Sequence, residues 1–353
     1  MGSIRTAWWN LENLFDTVDD PISADLEFTA ENGWTDEAYA AKKQNLAAAL
    51  NELFDGEGPE LLGVAEVEGD HVFEELIAAM GNPHLKVVKD PSGTSDLRGI
   101  DVSLAYDNRK LKVVERQSYI VHFRYPTRDV FEVVFEVKES GEQLVVIASH
   151  WPSRRQGREH SEPLRIGVAE NISYLVRNRV RVNPQKYEAL REKGDLDTVK
   201  KRWETPILLF GDFNDEPFDA AVVDHLQASS ELDRVIGKTN DIDKFEKQTA
   251  DYTGGDTFLY NASWKFLAPQ DVGTFFIAST ASGEVFPNRY QVLDQMVASR
   301  GLLKATGLRL DLDSVAIHRT LTVATPAGRP RAFDRKKFKG TSDHLPVTAM
   351  LNY

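Results

Sequence analysis

One stretch constrains this chain more than any other: Pro206-Ile207-Leu208-Leu209-Phe210-Gly211-Asp212-Phe213-Asn214-Asp215. Four consecutive apolar residues read as a buried strand, and Gly211 marks where the backbone must turn tightly. Asp212 and Asn214 follow at once, with Pro217 close behind, so the strand carries two oxygen-bearing side chains to its mouth. Strand mouths are where sheet-based enzymes usually place their sites. Taken alone, the same residues describe an Asx-rich turn that merely reverses the chain. The other segments decide between the two readings.

The same pattern recurs along the chain. Residues 4–9, rich in β-branched and aromatic side chains, read as a strand that runs into Asn10, Glu12 and Asn13. The run from Glu60 to Glu68 reads as a buried strand carrying Glu66 at its end, and a buried carboxylate needs a partner or a cation. Arg98 sits on a glycine turn, and Asp101 heads the next strand. Residues 143–149 form a strand that delivers His150, followed by Trp151, Pro152 and Arg154. Asp294 lies inside the apolar run 291–299, and Asp343 and His344 precede a final strand. Between these segments, apolar spacing and caps predict helices over 35–54, 70–80, 161–180, 184–202 and 219–228. Further strands are expected at 111–115, 117–123 and 130–138, and residues 238–256 read as a polar surface excursion. No repeats or linkers interrupt the series. A site assembled from Asn10 to His344 cannot be divided, so a single domain over 1–353 is expected.

Composition narrows the chemistry. The 353 residues include no cysteine, which excludes a disulfide scaffold, thiolate zinc sites and cysteine nucleophiles. A net charge of −13 argues against coating nucleic acid by charge alone, though not against an enzyme whose basic groups are local. Two basic clusters exist: Arg154, Arg155, Arg158 and Arg165, then Arg329, Arg331, Arg335, Lys336, Lys337 and Lys339. Each alone reads as solvated surface charge. No apolar run approaches a membrane span, and no signal-peptide pattern is seen. The opening Met1-Gly2-Ser3-Ile4-Arg5-Thr6 formally fits a myristoylation signal, but a core strand follows at once, so a lipid anchor is rejected. A soluble, cytoplasmic monomer is the expectation.

Carboxylate and carboxamide oxygens suit hard cations such as Mg²⁺ or Mn²⁺, with Ca²⁺ as an alternative. The sequence has no His-Glu-x-x-His, no Walker loop and no Gly-x-Ser-x-Gly elbow, so zinc proteolysis, P-loop NTP hydrolysis and α/β-hydrolase chemistry lack their signatures. A hard-cation site with two histidines, orienting carboxylates and nearby arginines fits cleavage of a phosphate ester.

Taken together, the motifs resemble a known family. They are Asn-Leu-Glu-Asn-Leu-Phe-Asp at 10–16, Val-Ala-Glu-Val-Glu around Glu66, and Ser-His-Trp-Pro-Ser-Arg at 149–154. Gly-Asp-Phe-Asn-Asp at 211–215, Leu-Asp-Gln-Met at 293–296 and Ser-Asp-His-Leu-Pro-Val at 342–347 complete the set. In this order they resemble the endonuclease/exonuclease/phosphatase superfamily, in its deoxyribonuclease I-like, bacterial branch. The resemblance implies an α/β fold of four layers, two packed mixed sheets flanked by helices, with the site at one edge. It implies Glu66 as principal metal ligand, with Asn10 and Glu12 beside it and Asp343 assisting a second metal. It implies that Asp212 and Asn214 position water and phosphate, and that His344, oriented by Asp294, contacts the scissile phosphate. His150 matches the acid of the deoxyribonuclease-like branch. Arg98 and Arg154 are expected to contact phosphate, and Asp101 to orient His150. A metal-dependent nuclease acting on DNA or RNA is the leading expectation. The alternative is a phosphatase or phosphodiesterase acting on a small or lipid phosphate such as an inositol phosphate.

Overall fold

The computed structural model describes residues 2–18, 26–90, 99–124, 127–154, 157–237, 252, 254–268, 271–278 and 289–353. Arg98, Arg155 and most of the polar excursion after residue 237 lie outside them. In chain order the strands are β1 (Ser3–Leu14), β2 (Leu61–Val67), β3 (Leu85–Val87), β4 (Asp101–Asp107), β5 (Leu111–Tyr119), β6 (Val130–Val137), β7 (Gln143–His150) and β8 (Ile207–Asp212). They continue as β9 (Ala228–Ser229), β10 (Leu259–Asn261), β11 (Phe275–Phe276), β12 (Tyr290–Gln291), β13 (Asp294–Ala298), β14 (Arg309–Ile317) and β15 (Val347–Asn352). The helices are α1 (Asp36–Glu52), α2 (Gly69–Met80), α3 (Arg158–Val180), α4 (Pro184–Glu192), α5 (Leu196–Trp203) and α6 (Leu232–Ile236).

One large sheet runs β14-β15-β1-β2-β4-β3, a second runs β5-β6-β7-β8-β13-β10-β9, and β11 and β12 pair as a separate two-stranded ribbon. Apolar faces of both sheets meet in one cluster that includes Trp8, Leu104, Phe135, Val146, Phe210 and Met296. The outer face of the first sheet packs on α1 and α2 through Trp9, Val64, Leu50 and Phe73. The outer face of the second packs on α3, α4 and α5 through Ile147, Leu209, Ile172, Tyr187 and Trp203. Four layers result, as the resemblance implied. Burial on both faces explains why these strands read as apolar runs rather than alternating ones. Consecutive residues therefore serve different layers: Trp8 enters the core between the sheets and Trp9 the helix side.

The pairing brings the polar strand ends to one edge. β1 and β2 are parallel, as are β7 and β8, with His150 opposite Asp212. β13 and β15 run antiparallel to their neighbours, so their starts lie at the same edge, with Asp294 opposite Asp212 and Val347 opposite Trp8. Asp101 pairs with Val67 there.

Several local expectations need correction. Residues 111–119 form one strand with a register shift between Val113 and Glu115 rather than two strands. The helix expected over 184–202 is two, because Gly194 takes φ 69° and the Asp195 side chain caps α5 by accepting from Thr198 N. At 219–228 only the wide turn Ala221–His225 is helical, followed by β9. Asp294 opens β13 instead of interrupting it. No helix among the described residues is long and apolar enough to cross a membrane.

Close approach of the sheets depends on Gly63. A Cβ there would lie 2.3 Å from the Phe210 ring and 2.9 Å from Trp8, whose own rings already sit 5.4 Å apart. Overpacking of this kind costs about 1–3 kcal/mol. Gly63→Ala is expected to lower the unfolding free energy in urea by that amount at unchanged slope, as measured by equilibrium denaturation.

Candidate active site

The shared edge gathers the polar ends around one atom, Asp212 Oδ2. Asn10 Nδ2 donates to it at 3.0 Å, His150 Nε2 stands 3.6 Å away and His344 Nε2 3.8 Å away. Glu66 Oε1 lies 3.8 Å from the same His150 nitrogen. Asp212 is buried, and its second oxygen accepts from the backbone N–H of Asn214 at 2.9 Å. Burial pushes its pKa up to about 6, with Asp294 adding to the rise while His344 and the hydrogen bonds from Asn214 and Asn10 oppose it.

Asp294 explains its own burial. Its Oδ2 lies 2.6 Å from His344 Nδ1, and since a carboxylate can only accept, that nitrogen carries a proton. Oδ1 accepts from the indole of Trp8 at 2.9 Å, and the backbone N–H of Asp294 donates to Thr274 Oγ1 at 3.0 Å. Burial alone would depress the pKa of His344, but the carboxylates of Asp294 and Asp212 more than offset it and hold it well above the ordinary histidine value. The indole of Trp9 donates to the His344 carbonyl at 2.9 Å, and the ring of Phe275 lies 4.9 Å from the imidazole.

A second group of acids adjoins the first. Glu12 is pushed up to about 7, chiefly by burial, with Asp343 and Glu66 adding to the rise and Lys42 opposing it. Asp343 is raised by burial and again by Glu66. Glu12 and Asp343 thus resist ionisation, and carboxylates held so are the donors a hard divalent ion takes. The ligating atoms gathered most tightly at this edge are those of Asp212, Asp294 and His344, all within 4.8 Å of one another. The side-chain Oδ1 of Asn10 accepts from Glu12 N at 3.0 Å, and Glu12 Oε2 from Phe333 N at 2.8 Å.

Glu12, Asn13, Glu66 and Asn214 all have positive φ, at 54°, 60°, 61° and 48°. Glu66 sits where the register of β2 shifts against both β1 and β4, a bulge that turns its side chain toward the site. Left-handed backbone in a residue with a Cβ is strained, and such strain gathers at functional sites.

Sequence reasoning missed Lys42. Its position in α1 fits a helix facing the core, and nothing local marks it as a site residue. Yet it is 2% exposed, its ammonium donates to the carbonyl of Glu12, and it faces the rings of Phe333 at 5.5 Å and Trp34 at 6.0 Å. Burial lowers its pKa, while Glu12, Asp343 and Glu66 raise it.

Arg154 is placed differently from expectation. It does not present a free guanidinium to a phosphate: it pairs with Asp215 at 3.0 Å and Asp219 at 2.7 Å and donates to the carbonyl of Asn214. The fully buried Arg165 also binds Asp215, at 2.8 Å, and Arg158 pairs with Asp219. Three arginines of the first basic cluster are thus committed to folding the loop that carries Asn214. The Asn214 side chain donates to the Trp151 carbonyl at 3.0 Å. Asp101 is buried at the head of β4, where its Oδ1 accepts from Val102 N at 2.8 Å. Arg98 lies outside the described residues.

The profile of the endonuclease/exonuclease/phosphatase family matches residues 5–283. The chain belongs to this family. Its members are phosphoric ester hydrolases, and this chain is one of them. No curated protein matches the chain. An endonuclease/exonuclease/phosphatase family protein from Bacteroides thetaiotaomicron superposes with a TM-score of 0.53 at 15% identity, covering 99% of this chain and 97% of that one. A mannosyl-6-phosphatase of the same species gives 0.52 at 15%, over 99% and 100%. D. rerio TDP2, in complex with a single-strand DNA product, gives 0.50 at 12%, over 100% of both chains. At these identities the likeness is one of fold.

Two stability outcomes follow. Glu66→Gly, which relieves both the strained backbone and the repulsion from Glu12 and Asp343, is expected to raise the unfolding free energy in EDTA by about 1 kcal/mol. Lys42→Met, which strands buried carboxylates without their cation, is expected to lower it by about 3 kcal/mol. Titrating Mg²⁺ into the Lys42→Met protein should recover part of that loss, read by calorimetric melting.

Proposed function

We propose that this chain is a divalent-metal-dependent phosphodiesterase that hydrolyses DNA or RNA. Mg²⁺ or Mn²⁺ held by Glu66, Glu12 and Asp343, with Asn10 adjoining, would neutralise phosphoryl charge. The chain's own groups carry the remaining work. Asp212, with its raised pKa, accepts the proton of the attacking water as oxygen bonds to phosphorus. The backbone N–H of Asn214 and the amide of Asn10 fix the Asp212 carboxylate in place for that transfer. Asn214 adjoins the phosphate. His344, held protonated by Asp294, places positive charge against a non-bridging phosphate oxygen. As the bond to the leaving oxygen breaks, His150 donates a proton from Nε2, and Asp101 at the same edge orients its ring. Arg154 acts through the Asn214 loop and not on phosphate directly.

The observation that carries this reading is the convergence of Glu66, His150, Asp212 and His344 within one side chain's reach. For nucleic acid in particular, the support is the short strand β11 that borders the site. Phe275 packs on His344, and the ring of Phe276, on the other face of the same strand, is flanked by Arg289 at 4.9 Å and Arg329 at 4.4 Å. Aromatic faces interleaved with arginines suit bases and phosphates along a strand. One observation favours a small phosphate ester instead: Arg154, Arg158 and Arg165 are spent on Asp215 and Asp219, which leaves less free positive charge at the mouth.

Plasmid DNA, RNA and a panel of small phosphate esters, each with Mg²⁺, Mn²⁺ or EDTA, separate the two. Metal-dependent nicking supports the nuclease. Phosphate release from small esters without nicking supports the second reading. Glu66→Ala is expected to abolish metal-dependent turnover, and His150→Ala or His344→Ala to lower kcat by about 10²–10⁴-fold. Losses below about tenfold at all three positions would mean that the reaction occurs elsewhere.

A further inference from the structure

The opposite ends of β7 and β8 border a cavity of about 1170 Å³. Gln143, Val145 and Pro206 form its sheet-side wall, whereas His150 and Asp212 end the same strands about 20 Å away. On a chain of net charge −13, this cavity is lined by Arg177, Arg181, Lys186, Lys201, Arg202 and Lys304. Its two acids are already engaged. Both oxygens of Glu142 accept from Leu308 N, at 3.0 and 3.1 Å, and Glu204 pairs with Lys304 at 3.4 Å.

The arrangement is built rather than scattered. Arg181 is 6% exposed, anchored by donation to the carbonyls of Tyr252 and Asp256, with its guanidinium 5.0 Å from the Trp203 ring. Arg202 is tied to the Asn178 carbonyl at 2.8 Å. Burial and the neighbouring Arg177 lower the pKa of Arg181 to about 10, a sign that cations are held close together in a dry setting. The amino end of α4, capped by Asn183, also opens on the cavity and adds the positive end of a helix dipole.

We propose that this cavity is a binding site for a small, multiply phosphorylated anion, separate from the hydrolytic site. Its volume exceeds what a single phosphate fills and lies just above the roughly 300–1,000 Å³ of small-molecule sites. Two anchored guanidinium groups, Arg181 and Arg202, with Arg177, Lys186 and Lys201 lining the same space, provide the charge-assisted contacts that such a ligand needs.

Calorimetry on the full chain in EDTA tests the assignment, with tripolyphosphate and a short oligodeoxythymidylate as probes. Tripolyphosphate is expected to bind at a single site, and its affinity to fall steeply with added salt. Arg177→Ala combined with Lys201→Ala, both away from the core, should weaken binding by about tenfold or more while leaving phosphoesterase turnover unchanged. Glu66→Gln should leave tripolyphosphate binding unchanged. Arg181→Met is the stronger variant, but its side chain is buried, so the double variant decides the outcome if Arg181→Met fails to fold. Absence of binding, equal affinity in the double variant, or preference for the oligonucleotide over tripolyphosphate would overturn the proposal.

Discussion

Asp212 Oδ2 is the atom on which the edge of the sandwich depends. It stands within 3.8 Å of one nitrogen from each of two histidines, and Asn10 donates to it across the gap between the two sheets. Those partners come from β1, β7 and the turn before β15, so the carboxylate sits where separate sheets must agree in position. Pairing fixes it twice over: parallel to β7, opposite His150, and antiparallel to β13, opposite Asp294. Gly211, immediately before it, makes this possible, because a Cβ there would lie 2.2 Å from the Ser149 carbonyl. Backbone closeness within one sheet thus becomes side-chain closeness across the site.

The strained residues complete the same logic. Regular strand geometry would turn Glu66 away from its neighbours, and the bulge in β2 reverses that at the expense of a left-handed backbone. Repulsion among Glu12, Glu66 and Asp343 adds to the strain. Lys42 relieves part of it from below, while the surrounding layers of buried apolar side chains hold the geometry against relaxation.

Much of this was legible in the sequence, because it rests on local contradictions. Asp294 in an apolar run demanded a partner, and His344 meets that demand at 2.6 Å. Glu66 at the close of a core strand did the same. What escaped was set by distance along the chain. Lys42 looks like one more position in a capped helix, since the carboxylates that account for it are brought close only by the fold. Arg154 read as a phosphate contact because its true partners, Asp215 and Asp219, lie some sixty residues further on. The break at Gly194 was visible as a glycine, but charged residues on both sides continued the helical pattern. The chemistry was announced by what each segment could not satisfy alone; the supporting pairs were hidden by segments that looked self-sufficient.

Trp8 and Trp9 are adjacent in β1, yet one indole holds Asp294 and the other holds the backbone of His344. Slipping β1 by a single residue would exchange their faces, thrust Trp9 between the sheets and sever both attachments. A molecule with that error would lose the seat of His344 together with its core. The seating of His344 is therefore also a measure of alignment: only chains whose first strand has settled in the correct frame can hold that imidazole against Asp294.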